Sequence, residues 1–147
     1  MTRTITIFLL FIALLLSACK STAKPAPAVE VVGQQISVPG GTYTDVTVAE
    51  LQTLLTNKDF TFVNVHIPFE GDIANTDLSI AYNEIEQYLG QLPANKDAKI
   101  VLYCRSGRMS SIAAETLAKL GYTNLWNLSG GMVAWEQAGL PLERSLP

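Results

Sequence analysis

The apolar positions of this chain change period as it runs from Thr42 to Pro141, and each change predicts an element. Thr42–Asp45 alternates as a short strand. Thr47-Val48-Ala49-Glu50 then has the form of a capping box, with Thr47 as N-cap and Glu50 reaching back to it. Val46 and Leu51 are placed as its hydrophobic staple, Leu51, Leu54 and Leu55 make one apolar helix face, and Asn57 can end the helix. Phe60–Val65 is rich in strand formers. Ile67–Leu78, with Pro68, Gly71 and Asn75, reads as a loop, and Ser79–Ala81 as a short strand. Asn83–Leu89 predicts a helix stopped by Gly90. Lys99–Tyr103 is the clearest buried strand. An alanine-rich helix follows over Ser110–Leu120, with Gly121 after its end, then a strand over Leu125–Leu128 and a helix over Met132–Ala138 closed by Gly139 and Pro141. Strands alternating with helices predict an α/β fold: a parallel sheet of about five strands with helices on both faces. Continuous apolar strands such as Ile100-Val101-Leu102-Tyr103 agree with burial on both sides.

Upstream of Thr42 the pattern weakens. Val29–Gly41 holds either two short strands around Gly33-Gln34 or the end of a linker, broken by Pro39-Gly40-Gly41. Lys20–Ala28, with Ser, Thr, Ala, Lys and two prolines, reads as an extended tether. Arg3 precedes the apolar run Ile7–Leu16, whose 10 residues are too few to span a bilayer and suit a signal-peptide core. Leu16-Ser17-Ala18-Cys19 resembles the lipobox of bacterial lipoproteins, which implies cleavage before Cys19 and its lipidation. The expected organisation is a signal peptide over 1–18, a lipidated cysteine and tether over 19–41, and a folded domain over 42–147. The expected location is the cell envelope, lipid-anchored and facing the periplasm or the extracellular side.

Composition narrows the chemistry. The chain is 48% hydrophobic and 16% charged, so it should bury a core rather than stay disordered. Its net charge is −3, and loss of Arg3 with the leader leaves nine bases against 13 acids, or −4. No basic run occurs, which argues against nucleic acid as a partner. With Cys19 lipidated, Cys104 is the only thiol, so no internal disulfide can form. His66 is the single histidine, and with no second histidine or free cysteine near it no metal site is expected, nor any cofactor.

Cys104 lies just past a strand end, where open α/β sheets bind ligands. The loop and first helical turn aim backbone N–H groups at one point, and the helix dipole adds typically ~0.3–1 kcal/mol toward the thiolate. Arg105 and Arg108 add positive charge, and Gly107 permits a tight turn. Arg105, next to the nucleophile, is the arginine expected to face incoming anions. Cysteine phosphatases have a similar loop, but they need an arginine six positions after the cysteine, and that position is Ser110.

The stretch "VLYCRSGRMSSIAAETLAKLGYTNLWNLSGGMVAWEQAGLP" resembles the C-terminal half of a single-domain rhodanese. The loop Cys104–Met109, the helix end Leu120-Gly121-Tyr122, and Gly130-Gly131 followed by Trp135 carry the resemblance, which extends over roughly Thr42 to Leu142. It implies a rhodanese-like fold and a sulfurtransferase in which Cys104 carries a sulfane sulfur as a persulfide. Arg105, Ser106, Gly107, Arg108 and Met109 would form the anion-binding loop. The implied partners are a small sulfur-containing anion, such as thiosulfate, and a thiol or cyanide acceptor. The N-terminal half departs from the pattern. Rhodaneses usually carry Asp-Val-Arg where this chain has Asn64-Val65-His66, and Glu70 runs straight into Gly71-Asp72-Ile73 without the usual spacer and histidine. Asn64, His66 and Glu70 are therefore placed at the pocket rim. Rhodanese folds also serve as non-catalytic binding modules, so a binding or sulfide-sensing module at the membrane surface stands as the other reading.

Overall fold

The structure is a computed structural model, and its described residues are 29–144. The expected signal peptide, the lipidated Cys19 and the tether through Ala28 lie outside the described residues. The elements run β1 (Gln34–Val38), β2 (Gly41–Val46), α1 (Val48–Thr56), β3 (Thr61–Asn64), β4 (Leu78–Ser79), a 3₁₀ segment (Ile85–Gln91), β5 (Ile100–Tyr103), α2 (Arg108–Lys119), β6 (Leu125–Leu128) and α3 (Gly131–Gln137).

One sheet holds all six strands in the order β1-β2-β6-β5-β3-β4. The five expected strands are there and pair in parallel. The sixth, β1, comes from the ambiguous segment. It pairs antiparallel with β2 through the Pro39-Gly40 turn, from Gln34 opposite Asp45 to Val38 opposite Gly41. The sheet therefore starts eight residues before Thr42, the expected start of the folded domain. Alternation along Gln34–Val38 is shallow, because an edge strand buries little, and that is why the pattern left it undecided.

Every residue of β5 is buried, and its side chains divide between two cores. Ile100 and Leu102 pack with Ala113, Ala114 and Leu117 of α2 and with Ile85 of the 3₁₀ segment. Val101 and Tyr103 pack on the other face with Leu51 of α1 and with Met132 and Trp135 of α3. Trp135 and Tyr122 are core residues. The expected helix over Asn83–Leu89 is instead 3₁₀, with Glu84 making no side-chain cap and Tyr88 in non-helical geometry. Only Ile85 of that segment is buried, too little apolar face to sustain α-helical turns.

The capping box forms as predicted: Glu50 N donates to Thr47 Oγ1, and Thr47 N to Glu50 Oε2 at 2.8 Å. Glu50 does more than cap. Its Oε1 accepts from Val32 N at 3.1 Å and Gly33 N at 2.9 Å, tying the segment before β1 to α1. Hydrogen bonds from the Thr47 and Gly33 backbone outweigh partial burial and hold its carboxyl at about 2.

Candidate active site

β5 ends at Tyr103, and the chain then turns through Cys104–Gly107 into α2. The turn closes because Gly107, the N-cap of α2, takes φ of +92°, which L-residues with a Cβ adopt at a cost. That conformation aims Gly107 N at Cys104 Sγ, 3.1 Å away. Ser110 Oγ lies 3.4 Å from Sγ and 3.1 Å from Gly107 O, so its single proton can serve either acceptor. The sulfur thus has one fixed backbone donor and one rotatable hydroxyl within reach. Cys104 is 1% exposed, so the sulfur sits at the floor of the loop.

α3 supports the loop from beneath. Met132 N donates to Cys104 O and Val133 N to Arg105 O, each at 2.9 Å. A Cβ on Gly131 would stand 2.2 Å from Cys104 O, so backbone meets backbone here and only glycine fits. This contact explains why α3 opens on a glycine.

The predicted loop residues separate once placed. Ser106 and Arg108 are exposed, and they line a cleft of about 330 Å³ together with Gly107, Tyr43, Asp45 and Asn127. Arg108 has no carboxylate partner among the described residues. Met109 packs against the α2 core and is a packing residue rather than an anion ligand. Arg105, expected to meet anions, is half-exposed and paired with Glu70. Glu70 Oε1 also lies 3.4 Å from His66 Nε2, within ion-pair range but without hydrogen-bond geometry. Partial desolvation pushes the Glu70 carboxyl up, but the Arg105 guanidinium and His66 beside it prevail and hold it below its ordinary value. His66 is 8% exposed, and neither ring nitrogen has a hydrogen-bond partner among the described residues.

Asn64 is not at the rim. It is fully buried, and none of its hydrogen bonds goes to the Cys104 loop. Its Nδ2 donates to Gly71 O at 3.0 Å and Asp72 Oδ1 at 2.8 Å, and its Oδ1 accepts from His66 N at 3.0 Å. The same Asp72 oxygen accepts from Tyr103 Oη at 3.1 Å, and Tyr103 Oη accepts from Ile73 N at 3.0 Å and lies 2.7 Å from Thr76 Oγ1. Burial, with Asp72 adding to it, pushes the Tyr103 phenol far above its ordinary range and keeps it a neutral donor. Asn64 and Tyr103 thus hold the rim-bearing loop against the sheet. The C-terminal segment clamps it from outside: Asp72 and Glu143 exchange backbone hydrogen bonds of 2.7 Å, and Arg144 Nη1 donates to Glu70 O at 3.1 Å. Sequence reasoning missed Asp72, Tyr103 and Glu143 because no local spacing relates them. Ser110 was noticed only as the absence of an arginine, although its place at the start of a helix six residues after the cysteine was the available signal.

The Rhodanese-like domain model matches residues 49–138. A sulfurtransferase from Allochromatium vinosum is 35% identical over 62% of this chain and 85% of its own length. An uncharacterised protein from Synechocystis is 35% identical over 68% of this chain, which spans only 57% of that relative. Among solved structures, a rhodanese-related protein from Thermoplasma volcanium superposes with a TM-score of 0.59 at 30% identity, covering 69% of this chain and 98% of its own. With the matched family model enclosing β3, β5, the Cys104 loop and the α3 glycines that support it, this chain belongs to the rhodanese-like family.

Proposed function

We propose that the protein is a sulfurtransferase that carries a sulfane sulfur as a Cys104 persulfide. The observation that carries this reading is the sulfur's setting: Cys104 Sγ accepts from Gly107 N at 3.1 Å, with Ser110 Oγ at 3.4 Å, at the floor of a strand–loop–helix turn. With thiosulfate as donor, the Cys104 thiolate attacks the outer sulfur, the S–S bond of thiosulfate breaks, and sulfite leaves with the electron pair. With cyanide as acceptor, carbon attacks the terminal persulfide sulfur, thiocyanate forms, and the thiolate returns. A thiol acceptor takes the same sulfur and leaves as its own persulfide. Neither half-reaction needs an oxidant, a second cysteine or a metal.

The test is mass analysis of the Cys104 peptide after incubation with thiosulfate, followed by thiocyanate release on adding cyanide. The expected result is a gain of one sulfur (~32 Da) that cyanide discharges, and its absence in Cys104→Ala. The near-complete burial of Cys104 favours a second reading, a non-catalytic binding or sulfide-sensing module. Thiocyanate release equal in the wild type and Cys104→Ala would leave that one standing. Export as a lipoprotein through Cys19 rests on Leu16-Ser17-Ala18-Cys19 and its preceding apolar run. The intact mass of the membrane-extracted protein tests it, since the lipidated form lacks residues 1–18 and carries acyl chains.

A further inference from the structure

Two arginines flank the nucleophile, and the fold treats them differently. Arg108 opens on the cleft without a carboxylate partner among the described residues. Arg105 is held by Glu70. Glu70 is not a loosely tethered carboxylate, because its own carbonyl accepts from Arg144 at 3.1 Å and Asp72, two residues on, is stitched to Glu143 by two hydrogen bonds of 2.7 Å. Among the described residues, the only other basic group at its carboxylate is His66, which stands 3.4 Å away without hydrogen-bond geometry. Arg105 is therefore the permanent countercharge of Glu70, whereas Arg108 lines a neighbouring cleft without a carboxylate partner among the described residues.

We propose that Glu70 sets the charge selectivity of the site: by occupying Arg105 it disfavours doubly charged sulfur donors such as thiosulfate relative to neutral or singly charged organic persulfides. This rests on the sulfurtransferase reading. A dianion has to displace Glu70 from Arg105 or settle for Arg108 and the loop amides alone. An organic persulfide needs no second guanidinium. The Cys104 thiolate attacks its outer sulfur, the S–S bond breaks with its electron pair going to the inner sulfur, and the departing thiolate takes up the proton from the transferred outer sulfur, giving a Cys104 persulfide anion and a free thiol.

The experiment compares alkylation of Cys104 by iodoacetate, an anion, with alkylation by neutral iodoacetamide, at low ionic strength. Peptide mass spectrometry of the full chain separates Cys104 from Cys19. Both reagents consume the thiolate, so a change in thiol ionisation cancels in the ratio. Glu70→Gln should raise the iodoacetate-to-iodoacetamide ratio on the order of threefold, the effect of one unit charge across about 6 Å of water, and Glu70→Ala should move it the same way. In an Arg105→Gln background the gain from Glu70→Gln should shrink by half or more. An unchanged ratio overturns the proposal. So does an equal gain with and without Arg105, which would make Glu70 only a distant charge. The thiosulfate-to-organic-persulfide ratio of kcat/KM should rise in Glu70→Gln by a similar factor. Because alkylation involves no sulfur transfer, a chain that accepts sulfur from neither donor sinks the sulfurtransferase reading and the donor selectivity with it, whereas a failed alkylation shift sinks the selectivity alone.

Discussion

The two walls around the Cys104 loop are built from different material. On the α3 side the contacts are backbone to backbone, from Met132 N and Val133 N to the carbonyls of Cys104 and Arg105, with Gly131 leaving the room. On the β3 side they pass through side chains: Asn64, Asp72, Tyr103 and Thr76 beneath, and His66, Glu70 and Arg105 at the mouth. A backbone wall accepts almost any side chain that points away from it and rejects any Cβ that points in. A side-chain wall can be rewritten residue by residue, provided each donor keeps an acceptor. The departures from the usual rhodanese pattern, Asn64, His66 and Asp72, all fall on the second wall, where Asn64 bonds the Asp72 carboxylate and the His66 backbone while the His66 ring nitrogens stay unpartnered among the described residues.

Substitutions on each wall should fail in different ways, and the largest effect belongs to the backbone wall. Gly131→Ala places a methyl 2.2 Å from Cys104 O with no flexible group to yield. It should cost about 3 kcal/mol or more, lower Tm by roughly 10–15 °C and abolish sulfur loading of Cys104. A thermal melt near that of the wild type would break the claim that this wall is rigid.

Next comes Asn64→Asp, on the side-chain wall. It sets a second carboxylate 2.8 Å from Asp72 Oδ1 and 3.0 Å from Gly71 O, where a donor stood. The expected loss is about 2–4 kcal/mol at neutral pH. The new carboxyl would be held above its unfolded value, so the loss should be absent below about pH 4 and grow as pH rises. Asn64→Asp combined with Asp72→Asn should recover most of the stability, because the pair then again has one donor and one acceptor. Urea titrations at two pH values measure both effects, and a double variant no better than the single would show that the wall is not a coupled set.

Glu50→Gln should cost about 1–3 kcal/mol, since it weakens the acceptor for Val32 N, Gly33 N and Thr47 N. The folded-state carboxyl sits at about 2 against an ordinary 4.5. Its contribution is therefore complete above about pH 4.5 and fades as pH falls toward 2. Glu50→Gln should flatten that part of the Tm–pH curve and leave the slope at neutral pH unchanged.

Gly107→Ala should have the smallest effect on stability, about 1–2 kcal/mol. An added Cβ has 3.4 Å to Gly130 N, so space exists and only the φ of +92° resists. Its effect on the reaction should exceed its effect on the melt, because relaxing that φ swings Gly107 N away from the sulfur. The rate of Cys104 alkylation by iodoacetamide at fixed pH checks this.

Much of this was readable in the chain itself, and the reason lies in range. The strand–helix alternation, the Thr47–Glu50 capping box, the β5 strand, the cysteine at its end, and the Gly107 turn each depend on residues a few positions apart, where hydrophobic period and backbone preference act directly. β1 escaped because half-buried edge strands show little alternation, and its real anchor, Glu50 to Val32 and Gly33, spans 17 to 18 positions. The exclusion of a phosphatase loop needed only a count of six residues to Ser110.

What the tertiary structure alone decided is which side chains meet across the sheet's C-terminal edge. Asn64 and Tyr103 are register partners on neighbouring strands, and Asp72 reaches both only because the 66–77 loop folds back over them. Arg105, still half-exposed, turns to Glu70, 35 residues earlier. These pairings depend on strand order and on where a long loop lands, which no local pattern encodes, and they change Asn64 from a rim residue into a buried strut and Arg105 from a free anion ligand into half of an ion pair.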